Sequence, residues 1–183
     1  MKGYDKTMSQ LIMIRGNSGS GKTSLAKALQ KKFGRNTMLI SQDMVRIQML
    51  HAKDAEALPL ITKLLQYGRQ NSEITILEGI LASEYYAPLF QTALAEYGED
   101  IFAFYYDLPF EETILRHNTK PNKAEFGEQD MRRWWKEKDY LDMIPERIIT
   151  KDISLEEAVA LIEKATQTGG ICGQPDERCI FGI

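Results

Sequence analysis

Eight residues near the start of the chain have the types and the spacing that bind phosphate. The segment GNSGSGKT, residues 16–23, matches the pattern G-x-x-x-x-G-K-[ST] with both glycines, the lysine and the threonine in place. Gly16, Gly19 and Gly21 permit backbone angles and close approaches that side chains would block. The backbone N–H groups of such a loop converge on a phosphate, helped by the positive end of the following helix. The segment is therefore predicted to be a P-loop rather than a glycine-rich turn that binds nothing.

The other side chains of this loop fit a nucleoside triphosphate. Lys22 places a positive charge at the β- and γ-phosphates, so we expect it to take part in catalysis, and the Thr23 hydroxyl is a ligand for Mg²⁺. ATP and Mg²⁺ are therefore the expected cofactors. The expected nucleotide-binding residues are Gly16, Asn17, Ser18, Gly19, Ser20, Gly21, Lys22, Thr23, Ser24 and, from a later basic segment, Lys120.

The surrounding pattern predicts the elements that hold this loop. Apolar runs of strand length alternate with segments of helical period, which is typical of an α/β fold. We expect a three-layer α/β/α sandwich of the P-loop NTPase type, with a mostly parallel five-stranded sheet and a lid segment. The predicted strands are residues 11–15, 37–40, 74–77, 101–106 and 147–150. Residues 131–141 are predicted to be helical, and Pro59 is expected in the first turn of a helix over 55–68 or at its break.

Length and composition favour one domain. The chain has 183 residues, 43% of them hydrophobic, and a formal net charge of -3, so no chain-wide basic field attracts nucleic acid. We expect a P-loop kinase domain over residues 1–168, with a lid at about 116–133, and a loose tail over 169–183. The tail cysteines, Cys172 and Cys179, are too few for a zinc site. The chain has neither the apolar run of a signal peptide nor one long enough to span a membrane, so a cytoplasmic location is expected.

A carboxylate and an arginine follow the second predicted strand, which ends in SQDMVR. Asp43 should lie at the carboxyl edge of the sheet, where ligands of open α/β folds bind. There it could accept the proton of an attacking hydroxyl, although it could also cap the next helix. Arg46, one turn away, could hold an anionic group of the acceptor.

These two segments carry a resemblance to a known group of enzymes. GNSGSGKTSLAKAL followed by SQDMVRIQML resembles the polynucleotide kinase and zeta-toxin group of P-loop phosphotransferases. The resemblance implies that Asp43 is the general base and that Arg46 binds the acceptor. RHNTK is similar to the lid of that group, which has two basic residues spaced four apart. Arg116 matches the first, as a catalytic residue, and Lys120 stands at the second.

The third predicted strand resembles a different family. Its sequence ILEGIL is similar to that of the uridine kinases, in which the glutamate lies near the Mg²⁺ ion. The resemblance implies that Glu78 holds the metal together with Thr23. A solvated charge at the end of a strand is the alternative for Glu78.

Other classes of protein fit the pattern less well. A signalling GTPase should have D-x-x-G after the third strand, where this chain has LEGIL, and the near match NKAE lies in a charged loop. Trp134 and Trp135 could stack on a nucleic-acid base, but adjacent helical residues do not share a face, so one of them is expected in the core.

The sequence therefore predicts an ATP-dependent kinase that acts on a hydroxyl of a small molecule, with a nucleoside among the candidate acceptors. Nucleic acid is a less favoured partner, and no membrane is expected. The alternatives are a 5′-hydroxyl polynucleotide kinase and a non-catalytic, toxin-like nucleotide-binding module.

Overall fold

The computed structural model describes residues 9–119 and 127–168, and a single sheet organises this part of the chain. Its strands are β1 (Gln10–Gly16), β2 (Thr37–Ser41), β3 (Ile74–Glu78), β4 (Ile101–Tyr106) and β5 (Glu146–Ile149). Their order across the sheet is β2-β3-β1-β4-β5, and every neighbouring pair is parallel. The predicted α/β fold with a five-stranded sheet is confirmed.

The described residues also form six α-helices and one π-helix. They are α1 (Lys22–Phe33), the π-helix (Met44–Met49), α2 (Asp54–Asn71), α3 (Ser83–Tyr97), α4 (Phe110–Asn118), α5 (Glu128–Trp134) and α6 (Leu155–Thr168). The Ser154 and Glu157 side chains bond each other's backbone N–H groups at 3.2 and 2.9 Å, which forms a capping box at the start of α6. No described helix is long and apolar enough to cross a membrane.

Both faces of the sheet are buried, and β1 contributes to each. Leu11 and Met13 belong to the core under α2 and α3. Ile12 and Ile14 belong to the opposite core, under α1 and α6. A strand covered on both faces needs apolar side chains at successive positions, which is why β1 has a continuous apolar run. The sheet with helices on each of its faces forms a three-layer sandwich.

The register of the sheet brings three strand ends to one edge. Glu78, the last residue of β3, pairs with Ile14 of β1 and with Ser41 of β2. Gly16 comes two residues after Ile14, and Asp43 comes two residues after Ser41. The P-loop, Glu78 and Asp43 therefore share the carboxyl edge of the sheet.

The segment after α4 departs from the sequence prediction. A helix was predicted over residues 131–141, but α5 ends at Trp134 and the chain runs irregularly to β5. The backbone groups of Lys136 bond the Asn17 side chain at 2.7 and 3.0 Å, and the Leu141 N–H bonds Glu146 at 2.8 Å. These groups are therefore paired across the fold instead of along a helix.

The position of Pro59 also differs from its prediction. It lies inside α2, beyond the first turn, and the helix continues through it. A proline at this position removes a single N–H from the second turn, and its side chain is exposed, so no core contact is lost.

Candidate functional site

The backbone of the P-loop has the shape that its glycines allow. Gly16, Gly19 and Gly21 have φ values of 139°, 80° and 105°, which residues with side chains rarely adopt. A Cβ on Gly16 would lie 2.9 Å from Tyr106, and one on Gly19 would lie 2.5 Å from the Thr113 carbonyl oxygen. Gly16 is thus packed against β4 and Gly19 against α4, so the loop keeps an open inner surface that suits a phosphate.

Lys22 points back into the loop that it follows. Its Nζ donates to the Asn17 carbonyl at 2.7 Å and to the Ser20 Oγ at 3.3 Å, and the side chain is 7% exposed. The ammonium group is therefore held among the N–H groups where phosphate oxygens would lie. Ser18 completes the loop, and Ser24 lies in the first turn of α1.

Thr23 and Glu78 are brought together by α1 and β3. The Thr23 hydroxyl lies 3.2 and 3.3 Å from the two carboxylate oxygens of Glu78, which is 3% exposed. Because Glu78 is buried against the P-loop, it is not a solvated charge at a strand end. One hydroxyl and one carboxylate are hard oxygen ligands of the kind Mg²⁺ takes beside substrate phosphates. The two residues predicted to hold the metal therefore fit that ion.

Arg116 connects α4 to the P-loop. Its Nη1 donates to the Ser20 carbonyl at 3.0 Å, and its Nε donates to Glu112 at 2.7 Å. A weaker contact joins its Nη2 to the Lys151 carbonyl at 3.4 Å. The guanidinium group is thereby fixed at the rim of the loop. Lys120, the second predicted basic residue of the lid, lies outside the described residues, and so do Cys172 and Cys179.

Asp43 and Arg46 lie at the far side of the same edge. The Asp43 side chain is 71% exposed, and Arg46 Nη2 bonds its Oδ1 at 3.1 Å. Within the described chain, Asp43 makes no side-chain capping bond to the π-helix. Its carboxylate is oriented by Arg46 instead, which leaves it accessible to a substrate from solvent.

Three residues beside this pair were missed by the sequence analysis. Asp54, the first residue of α2, accepts from Gln42 Nε2 at 2.9 Å and from the Tyr86 hydroxyl at 2.7 Å. Arg46 Nε lies 3.8 Å from the same Asp54 oxygen. Gln42 directly precedes Asp43, which is the one local signal in the sequence, since the other partners come from distant segments.

A buried ion cluster under the P-loop was also missed. Arg15 is 0% exposed and bonds both Glu146 carboxylate oxygens, at 2.9 and 3.0 Å, and Asp139 at 2.8 Å. Its guanidinium group also lies 5.2 Å from the Phe90 ring. Burial raises the pKa of Glu146, while the Arg15 charge opposes that rise. A charged residue inside the apolar run of β1 is the sequence signal for such a cluster.

The buried ion cluster of Arg15 and the hydrogen-bonded group of Gln42 and Asp54 both contact the turn after Glu78. Leu81 has a φ of 44°, which is strained for a residue with a side chain. Its N–H donates to Gln42 Oε1 at 3.0 Å, and its carbonyl accepts from Arg15 Nε at 3.0 Å. Both backbone groups are thus held by side chains, which fixes the turn that leads away from Glu78.

A cavity of about 410 Å³ adjoins the P-loop on the β4 side. Its lining includes Asn17, Asp107, Phe110 and Trp135. The Phe110 and Trp135 rings meet edge to face, with centroids 5.1 Å apart. Trp134 is 40% exposed and Trp135 is partly buried, so neither belongs to the core, contrary to the expectation for one of them.

Several solved structures share this fold. APS kinase of Mycobacterium tuberculosis, solved with AMPPNP and APS, is 19% identical with a TM-score of 0.68 over 87% of this chain and 98% of that one. A tunicamycin resistance protein of Deinococcus radiodurans is 17% identical, with a TM-score of 0.59 over 91% of this chain and 99% of that one. A gluconokinase of Sinorhizobium meliloti is 15% identical, with a TM-score of 0.57 over 89% of this chain and 97% of that one.

These likenesses and the loop geometry define the class: the chain has the fold of the P-loop kinases. The zeta toxin family model matches residues 4–98, which is just over half of the chain. The chain therefore belongs to the zeta toxin family. The matched part includes the P-loop, Asp43, Arg46 and Glu78, whereas Arg116 lies beyond it. A search of the curated proteins gave no match.

Proposed function

We propose that this protein is an ATP-dependent kinase that transfers the γ-phosphoryl group to a hydroxyl of a small molecule, with a nucleoside among the candidate acceptors. The observation that carries the proposal is the contact of Thr23 with buried Glu78 behind a complete P-loop, with Asp43 beyond the same edge of the sheet. A nucleotide-binding loop, a metal-binding pair and a general base would then share the carboxyl edge of the sheet. The names of the similar structures, which include a gluconokinase and a shikimate kinase, support small acceptors.

In the proposed reaction Asp43 accepts the proton of the acceptor hydroxyl as its oxygen attacks the γ-phosphorus. A new O–P bond forms, the bond between the γ-phosphorus and the bridging oxygen breaks, and ADP leaves with the bonding electrons. Lys22 and Arg116 stabilise the negative charge on the phosphoryl oxygens during transfer. Mg²⁺, held by Thr23 and Glu78, would neutralise phosphate charge when bound.

The domain limits belong to the same proposal. Residues 1–168 would form the catalytic domain, with a lid at about 116–133 that includes Lys120, and the protein would act in the cytoplasm. The fixed position of Arg116 at the P-loop rim supports a lid hinged near that residue.

A toxin-like role is the second candidate, and the family match favours it. It is compatible with the first if the toxic act is phosphoryl transfer, and distinct from it if the protein only binds nucleotide. A polynucleotide acceptor is less well supported, because Arg132 and Arg133 are each paired with an acid of their own helix, Glu128 and Asp130. Those pairs reduce the positive charge that a nucleic-acid end would meet.

The test is a transfer screen with γ-labelled ATP against nucleosides, sugars, antibiotics and 5′-hydroxyl oligonucleotides, with the Lys22→Ala variant as the blank. Label on a small molecule supports the kinase proposal. Label only on oligonucleotides, with strong salt dependence, would support the polynucleotide kinase instead. ATP binding with no transfer to any compound would favour the nucleotide-binding module.

A further inference from the structure

One side chain of the P-loop bonds a segment far along the chain. Asn17 stands at a position that the pattern G-x-x-x-x-G-K-[ST] leaves open, so the pattern does not account for its side chain. Its Nδ2 donates to the Lys136 carbonyl at 2.7 Å, and its Oδ1 accepts from the Lys136 N–H at 3.0 Å. We call this pair of hydrogen bonds the Asn17 clamp. Asn17 is 6% exposed, so the clamp is shielded from water.

The backbone of Asn17 is joined to the phosphate-binding lysine. Its carbonyl accepts from Lys22 Nζ at 2.7 Å. The ammonium group of this lysine is the charge that a P-loop presents to the phosphates. Asn17 thus contacts Lys22 through its backbone and Lys136 through its side chain. A nucleotide that orders this part of the loop would also order the residue from which the clamp extends.

The segment that the clamp holds has no regular structure of its own. Residues 135–139, all of them within the described part of the chain, form neither a helix nor a strand. Arg15, the residue before the P-loop, holds the far end of this segment. Its Nη1 donates to the Asp139 carbonyl at 2.9 Å, and its Nη2 donates to the Asp139 carboxylate at 2.8 Å. The segment is therefore attached at both ends to β1 and the loop that follows it.

Detaching the segment would break the clamp at a buried site. A buried polar group that loses its partner is unfavourable, and both polar atoms of the Asn17 amide have their partner in Lys136. A ligand that binds only the ordered form of a site stabilises the contacts of that form. Such an effect is reciprocal, so the ordered segment would strengthen nucleotide binding by the same factor.

We propose, resting on the nucleotide binding in the function above, that Asn17 is a positioning residue that couples occupancy of the P-loop to the order of residues 135–139. Trp135 of this segment lines the cavity beside the P-loop, so the coupling also fixes one wall of that cavity. The chain has two tryptophans, Trp134 and Trp135, and both directly precede Lys136. Their fluorescence therefore reports on the clamped segment.

The experiment follows hydrogen exchange of the Lys136 N–H by NMR, with and without saturating AMPPNP and Mg²⁺. In the wild-type protein the nucleotide is expected to slow this exchange by roughly three- to tenfold, the effect of about one hydrogen bond. In Asn17→Ala the slowing should be lost, and the Kd for AMPPNP, measured by calorimetry, should rise by a similar factor. Acrylamide quenching of the tryptophans should decrease on AMPPNP binding in the wild type and not in the variant.

The matched control is Lys136→Ala, which removes the side chain of the clamped residue and keeps the backbone groups that Asn17 bonds. It should retain the response to AMPPNP and the wild-type Kd. If Asn17→Ala does not fold by circular dichroism, Asn17→Leu, which keeps the volume of the side chain without its amide, repeats the test.

The possible failures are distinguishable. Unchanged Lys136 exchange in the wild type with AMPPNP bound would show that the clamp is merely structural. A wild-type response and Kd in the Asn17 variant would show that the coupling does not pass through its side chain. Either result would overturn this inference and leave the kinase function standing. Failure of the wild-type protein to bind AMPPNP would overturn the kinase function and this inference with it.

Discussion

The two sides of the proposed site, the P-loop with Glu78 and the pair Asp43 and Arg46, are built differently. On the nucleotide side, Lys22, Thr23 and Glu78 are already in contact with their partners, and two of these three side chains are buried. On the acceptor side, Asp43 is mostly exposed and Arg46 follows it on a π-helix, a wider turn that often occurs at functional sites. In the proposed function, a nucleotide therefore meets a preformed surface, while the acceptor side adjusts to its ligand.

The π-helix also carries exposed apolar side chains. Met44, Ile47 and Met49 of the π-helix are all solvent-exposed. The P-loop, in contrast, is packed from below by β4 and from the side by α4. Such packing stabilises one conformation of a loop, whereas the buried residue of the π-helix is Val45 alone.

A large loss of activity is expected on the preformed side. Lys22→Ala should lower phosphoryl transfer by about 10²–10³-fold, because the charge proposed to stabilise the transferred group is removed. Transfer with labelled ATP and circular dichroism measure the activity and the fold of the variant. Lys27→Ala, an exposed lysine of the same helix, is the control and should be active. Full activity of Lys22→Ala would contradict the P-loop assignment.

The next prediction concerns the support under the P-loop. Arg15→Met should destabilise the protein by about 3–5 kcal/mol, because it leaves the Asp139 and Glu146 carboxylates without their buried partner. Chemical denaturation measures the free energy of unfolding, with exposed Arg35→Met as the control. A loss no greater than that of the control would show that the cluster does not hold the P-loop strand in place.

A smaller effect is expected at the metal pair. Glu78→Gln should raise the Mg²⁺ concentration needed for half-maximal activity by about 10–100-fold, because an amide is a weaker ligand than a carboxylate. The KM for the acceptor should change less. Activity measured against Mg²⁺ concentration tests this, and exposed Glu73→Gln at the opposite end of β3 should behave as wild type. An unchanged Mg²⁺ requirement would remove Glu78 from the metal site.

The nucleotide side could be predicted from sequence, because each of its residues stands in a recognisable local pattern. The P-loop is one continuous segment, and the Glu78 carboxylate follows an apolar run whose end the pattern locates. Asp43 could be placed for the same reason. The helix over residues 131–141 was predicted from its composition, but Asn17, more than one hundred residues earlier, bonds its backbone and prevents it.

The acceptor side could not be predicted in the same way. Asp54 is an ordinary acid at the start of a helix until Gln42, Tyr86 and Arg46 are placed around it. Arg15 likewise acquires its meaning from Asp139 and Glu146, which lie 124 and 131 residues away in the chain. Pairings at such distances depend on the order of strands in the sheet and leave no periodic pattern.

In the proposed function, one side of the site binds ATP and the other activates the acceptor. It is tested most directly by measuring kcat and the Kd for ATP together in Asp43→Asn, beside the exposed control Asp142→Asn. General-base assistance is worth about 10²–10⁴-fold, so kcat should fall by that factor. The Kd for ATP should be unchanged, because Asp43 has no contact with the P-loop among the described residues. A near-normal kcat, or a loss of ATP binding as large as the loss of kcat, would contradict the account.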